Sequence, residues 1–256
     1  MIYLINLDRR PDRLKEATDE LNKVEFPFHR IQAVDGNAVK VPLNFIHGKG
    51  AFGCRESHVK ALDHALANNK TDITIFEDDI LFKDNFLTDY DQFLDDVEPF
   101  DWQCLFLGGQ HMGGLGIPRP IQVATNVVKC VNVHRTHAIR VRGEFIKTLR
   151  DIYANSLRHI DHTFGKWQSN NQDAKIYAPD NWLVGQRGGF SDIRGAVKPI
   201  EWWAPKFVRH IGTTAGVECF KCGTLKANES RPCLTCLQSR RSQCFTPEET
   251  NVVPAQ

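Results

Sequence analysis

The chain has 256 residues, 41% hydrophobic and 25% charged, with a formal net charge of +1, which suits one large α/β domain and a small appendage. So small a net charge excludes a general electrostatic drive toward nucleic acid or membrane. No apolar run approaches the roughly 20 residues that cross a bilayer. The opening residues 1–8 carry no basic lead-in, so they read as a core strand and not a secretory signal, with the cytoplasm as the default compartment.

Ile2–Leu7 is an apolar strand. Pro11 suits the first turn of a helix, along which Leu14, Ala17, Leu21 and Val24 recur at helical spacing. His29–Val34 reads as a second strand, ended by the turn pair Asp35-Gly36. Residues 37–52 read as a loop, and a helix from Gly53 carries Val59, Leu62 and Leu66 on one face. Asp72–Phe76 is a third strand, followed directly by Glu77-Asp78-Asp79. Phe86, Tyr90, Phe93, Leu94 and Val97 mark a helix, and Trp102–Leu107 a strand.

Gly108–Pro120 is glycine-rich and is expected to form a mobile loop over a site. Ile121–Val133 and Thr136–Val141 suggest strands, Phe145, Leu149, Ile152 and Tyr153 a helical face, and Lys175–Ala178 a short strand before Pro179. A polar run covers Gly185 to Asp192, and beyond Trp202-Trp203 the pattern stops. Strands alternating with helices predict an α/β fold with a largely parallel sheet covered on both faces.

Carboxylates at the carboxyl end of a sheet strand sit where open α/β sheets bind ligands. Their oxygens suit a hard cation, Mn²⁺ or Mg²⁺, which can also bridge a diphosphate. Alternation along an extended segment puts Glu77 and Asp79 on one side and Asp78 on the other, which selects Asp79 as main metal ligand with Glu77 in support. The competing reading is an acidic turn that caps a helix beginning near Asp84.

Four segments in order resemble glycosyltransferase family 25. They are Ile5-Asn6-Leu7-Asp8-Arg9-Arg10-Pro11-Asp12-Arg13, Ala33-Val34-Asp35-Gly36, Gly53-Cys54-Arg55-Glu56-Ser57-His58 and Ile75-Phe76-Glu77-Asp78-Asp79. Looser matches continue at His159-Ile160-Asp161-His162, Ile176-Tyr177-Ala178-Pro179, Gln186 and Ser191-Asp192-Ile193. The resemblance covers about residues 1–195 and implies a GT-A (Rossmann-like) fold, assigned to a domain over residues 1–212. It also implies a UDP-hexose or related nucleotide-sugar donor and transfer with inversion to a hydroxyl of a glycan, lipid-linked sugar or protein. Arg55-Glu56 departs from it, placing two charges where apolar or small residues are expected.

Inverting transfer needs a group to take the acceptor's proton. Asp161 ranks first, Asp192 second and Glu56 third. Arg9 and Arg13 follow the first strand and can grip phosphate bidentately. Asn6, Asp35, Gly36, Ser57, His58, Asp78, Gln186 and Arg187 complete the expected donor site.

Of the 8 cysteines, Cys54, Cys104 and Cys130 read as buried thiols. Cys219, Cys222, Cys233 and Cys236 form C-x2-C-x10-C-x2-C, the thiolate set of a structural Zn²⁺. This predicts a zinc ribbon over 213–245, with Cys244 left over and 246–256 a flexible tail. Lys221, Lys226, Arg231, Arg240 and Arg241 make the ribbon basic enough for nucleic-acid contact. Three alternatives compete with the glycan or protein glycosyltransferase: one acting on modified nucleic-acid bases, a metal-dependent phosphoesterase or nuclease, and a non-enzymatic zinc-ribbon module. No His-rich ligand pattern is visible beside the triplet to favour the phosphoesterase.

Overall fold

A computed structural model describes residues 1–113, 117–193 and 195–204, together with the backbone of two short strands near residue 220. In chain order the elements are β1 (Ile2–Asn6), α1 (Pro11–Lys23), β2 (Phe28–Gln32), α2 (Lys49–Ala67), β3 (Asp72–Glu77), β4 (Ile80–Phe82), α3 (Phe86–Val97) and β5 (Cys104–His111). They continue with β6 (Ile121–Ala124), β7 (Val127–Lys129), β8 (Val133–Arg142), α4 (Phe145–Ala154), α5 (Ile160–Asn170), β9 (Ile176–Ala178), β10 (Val184–Gln186), β11 (Gly189–Ser191) and β12 (Ala196–Lys198). The ladder β13 (Val217–Glu218) with β14 (Leu225–Lys226) is antiparallel.

The central sheet has the order β2-β1-β3-β8-β5-β9-β7-β6. β1 runs parallel to β2 and β3, and β5 parallel to β9, while β8 lies antiparallel between β3 and β5. The fold is therefore mixed α/β around a mostly parallel sheet. Both faces are buried. Tyr3, Ile5, Ile73, Ile75 and Phe106 pack toward α2, α4 and α5, whereas Leu4, Phe76, Leu105 and Leu107 pack toward α1 and α3. This two-sided burial explains why the strands read as near-continuous apolar runs.

Three expectations need correction. α2 begins at Lys49 and not Gly53. Pro42 and the lysines of 37–52 argued for a loop, yet the helix packs closely from its start. A Cβ on Gly53 would lie 2.5 Å from the Val34 carbonyl oxygen and 2.8 Å from the Gly36 nitrogen, so glycine is required there. Gly108-Gly109 belong to β5 and not to a mobile loop. A Cβ on Gly108 would meet the Val184 carbonyl oxygen at 2.1 Å and His137 Nε2 at 2.4 Å, so the glycine admits close approach of backbone and ring. Finally, the triplet does not cap the next helix, because β4 intervenes and α3 starts at Phe86 after Asn85 in the left-handed region.

Among the described residues Cys104 and Cys130 are buried free thiols and Cys54 is a half-buried one. No helix among them is long and apolar enough to cross a membrane. The ribbon ligands Cys219, Cys222, Cys233 and Cys236, the 213–245 boundary and the 246–256 tail lie outside the described residues, apart from the β13–β14 ladder.

Candidate active site

Parallel pairing sets Ile5 of β1 opposite Glu77 of β3, so both strands end at the same rim. Because β8 is antiparallel, its amino-terminal part reaches that rim too, and the Thr136 hydroxyl donates to Glu77 Oε1 at 3.3 Å. Here a cleft of about 430 Å³ opens. Its lining includes Asn6, Arg9, Arg13, Asp35, Gly36, Ser57, His58, Glu77, Asp78, Asp79, Gln186, Arg187 and Asp192. Every residue expected at the donor site thus lines one cavity, although those residues come from five separate stretches of chain.

Glu77 is held by His58, whose Nε2 lies 3.1 Å from Glu77 Oε1. The His58 ring is buried edge-on against Tyr153. Burial pushes the Glu77 carboxyl up, but the His58 hydrogen bond and nearby positive charge outweigh it and bring it down to about 2. Past Glu77 the strand gives way to a turn, and side-chain alternation ends with it. Asp78 and Asp79 instead share Arg13, whose Nη2 sits 2.9 Å from one and 3.1 Å from the other.

Asp78 also accepts from Asn6 Nδ2 at 2.7 Å. Its burial dominates over Arg13 and raises its carboxyl to about 6. Asp79 accepts from Gln186 Nε2 at 3.3 and 3.2 Å. That contact depends on the β4–β10 ladder, which registers Gln186 opposite Ile80, and Arg187 N–H closes it by donating to the Asp79 carbonyl at 2.6 Å. Gln186 Oε1 is buried with no partner among the described residues, a spare oxygen donor beside Asp79.

The rest of the cleft is a lattice of arginines and carboxylates. Arg9 bonds Asp35 at 2.7 Å and Asp192 at 2.6 Å, and Arg10 bonds Asp12 at 2.7 Å and Asp192 at 2.8 Å. The Arg9 guanidinium is raised by its hydrogen bonds to Asp35 and Asp192. Arg187 bonds Glu16 at 2.7 Å and the Asp78 carbonyl at 3.0 Å. Arg30 supports Asn6 by donating to its Oδ1 at 2.9 Å.

Some expected residues have structural duties. Ser57 Oγ donates to the Gly53 carbonyl and accepts from Val34 N–H, tying α2 to the loop after β2. Gly36 is needed for proximity, since a Cβ there would lie 1.8 Å from the Lys49 carbonyl oxygen. Arg55 lies buried over the rings of Phe52 and Phe45, at 4.5 and 5.4 Å, and donates to the Ser156 carbonyl. Glu56 is bonded to Arg55 at 2.6 Å and lines neither the cleft nor its neighbour. The two unexpected charges are therefore a packing device.

Asp161 lies at the start of α5 and lines a second cavity of about 330 Å³, which shares Cys54, Glu77, Gln186, Ile193 and Lys198 with the cleft. This cavity also holds His47, His159 and His162, and His134 stacks on His162 with centroids 4.7 Å apart. A His-rich cluster does stand beside the triplet, contrary to the linear reading, because its members come from three separate segments. Arg30 and Lys198 were likewise missed, having no motif to mark them, and Arg10, although inside the first motif, was not singled out.

Carboxylate and amide oxygens, the donor types of Asp79, Glu77 and Gln186, are those a hard divalent cation prefers, and Arg13 places positive charge on Asp78 and Asp79.

Among curated proteins, the chain is 27% identical over 130 residues to the mouse (Mus musculus) protein named inactive glycosyltransferase 25 family member 3, covering 43% of this chain and 22% of that protein. It is 24% identical over 149 residues to human (Homo sapiens) procollagen galactosyltransferase 2, covering 51% of this chain and 23% of that one. It is 30% identical over 158 residues to the procollagen lysyl hydroxylase and glycosyltransferase of Acanthamoeba polyphaga mimivirus, covering 50% and 17%. The chain thus spans about a fifth of the length of these relatives. Residues 1–113, which run from β1 through the triplet to the end of β5, match the family model described as glycosyltransferase family 25 (LPS biosynthesis protein).

Proposed function

We propose that this chain is a metal-dependent, inverting glycosyltransferase of GT-A type, moving a hexose from a UDP-sugar to a hydroxyl acceptor. The observation that carries the reading is the convergence of Asn6, Arg9, Arg13, Asp35, Asp78, Asp79 and Gln186 on one cleft at the strand ends, all but Gln186 within the region similar to family 25. The relatives' names include both galactosyltransferases and proteins called inactive, so activity is the property to test.

Arg9, Arg13 and Arg187 bind and neutralise the donor diphosphate. Asp35 orients the ribose or base. Asp79, with Glu77 and Gln186, would hold Mn²⁺ or Mg²⁺, and such an ion screens the leaving diphosphate when bound. Of the carboxylates considered for the proton, Asp192 is engaged by Arg9 and Arg10 and Glu56 by Arg55. Asp161 faces an open cavity adjoining Glu77 and keeps first place.

Nucleotide release from UDP-, GDP- and CMP-sugars, with and without Mn²⁺, tests the reading. Turnover of one donor that rises with Mn²⁺ supports it, and no response to any donor removes it. The histidine-lined cavity gives the phosphoesterase alternative a specific observation that the linear sequence lacked. Hydrolysis of a phosphodiester, with no donor turnover, would establish that alternative instead. The C-terminal thiolates are proposed to hold structural Zn²⁺, with the ribbon serving as a docking or nucleic-acid element.

A further inference from the structure

We infer that His134, Asp161 and His162 form a second metal site, for a divalent transition ion such as Zn²⁺ or Co²⁺, distinct from Asp79 and Glu77. One ligand atom from each of the three lies within 4.8 Å of those of the other two. Tetrahedral nitrogen and oxygen ligands on such an ion sit about 3.3 Å apart, from bond lengths of roughly 2.0–2.1 Å. The site therefore needs a contraction that the half-exposed His162 can supply by rotation. Two imidazoles and one carboxylate select a borderline ion over the hard cation suited to an all-oxygen set.

Several features are hard to explain without a ligand. Arg135 takes a left-handed backbone conformation at φ 72°, unfavourable for a side chain of its size, and this directs its N–H toward Asp161 Oδ2 at 3.3 Å. The other Asp161 oxygen accepts from His162 N–H at 2.8 Å. Asn132 Oδ1 is buried with no partner. A Cβ placed on Gly165 would lie 2.2 Å from that oxygen and 3.0 Å from His134 Nε2, so the bare glycine lets both approach α5. His47 and His159, with ring centroids 4.4 Å apart, flank His162 at 5.8 and 5.2 Å. Arg135, which lines the same cavity, is drawn aside over Trp203 and toward Gln110.

Three protein ligands leave coordination positions for oxygen, as open sites do. Asp161 and His162 face the cavity shared with Glu77, so a water or hydroxyl oxygen is the expected fourth ligand. With the ion bound Asp161 is its ligand, so the proton-accepting role proposed above belongs to the ion-free chain, and the inference does not depend on the transferase reading.

The test is Co²⁺ titration of the chelator-treated full chain, read by bound-metal content and electronic absorption. The wild type should take up one equivalent with visible bands of nitrogen–oxygen ligation, separate from the near-ultraviolet thiolate bands of the cysteine cluster. Asp161→Asn and the surface variant His162→Ala should each lose that equivalent with unchanged far-UV circular dichroism and unchanged thiolate bands. Asp79→Ala should retain it. No nitrogen–oxygen band in the wild type, or full retention of it in Asp161→Asn and His162→Ala, would overturn the site. Ion binding without donor turnover would leave the inference standing and remove the transferase reading.

Discussion

Three adjacent carboxylates have three different environments. Asp79 borders the cleft on Gln186 and Arg13, and replacing it with Ala should lower Mn²⁺-stimulated donor turnover by roughly 10²-fold or more, with thermal stability little changed. Wild-type turnover in Asp79→Ala would exclude it as ligand. Asp78 is the buried one, raised from 3.8 to about 6. Between those values the folded chain keeps a proton that the unfolded chain has released, so stability falls as pH rises from about 4 to about 6 and levels above that. Glu77 has the opposite sign: its contribution is present above 4.5 and is lost as pH falls toward about 2. In Asp78→Asn the decline between pH 4 and 6 should shrink by on the order of 2 kcal/mol, measured by chemical denaturation across that range. Residue types and order announced the set that lines the cleft, because a strand-end motif keeps its neighbours close. Arg30 and the histidines stayed invisible, because their partners lie far away in sequence.

At the scale of elements, glycine decided where sequence and structure diverged. The helical and apolar patterns of α1, α3 and α4 were legible because each buries one stripe. The first turn of α2 and the end of β5 were not, since glycine there serves contacts that only the folded chain creates. Gly36→Ala should test this, as the added Cβ would overlap the Lys49 carbonyl. A loss of about 1–3 kcal/mol is expected, seen as a drop in Tm of roughly 2–4 °C per kcal/mol, with weaker donor binding because Asp35 moves with the loop. The short β4–β10 ladder was also unforeseen, being too brief to show a period, yet it carries Gln186 to Asp79.

At the scale of the whole molecule, the α/β class followed from alternating periods, but the antiparallel β8 inside the sheet did not, because strand direction has no signature in local composition. β8 is also what brings Thr136 and His134 to the rim. The cysteine spacing lies outside the described residues and is proposed to hold zinc. Cys222→Ser/Cys236→Ser should lower bound zinc by one equivalent in elemental analysis and leave nucleotide-sugar binding in place. Unchanged zinc content would refute the ribbon.

The arginine–aspartate lattice of the cleft has a thermodynamic consequence. Each guanidinium suited to a diphosphate already faces a carboxylate of the chain, Arg9 on Asp35 and Asp192, and Arg13 on Asp78 and Asp79. An incoming anion must exchange with an internal one, and the carboxylates it sets free then seek a new counter-charge. A divalent cation supplies that charge. Nucleotide and cation should therefore bind cooperatively, each tightening the other by the same factor, which titration of UDP with and without Mn²⁺ would reveal.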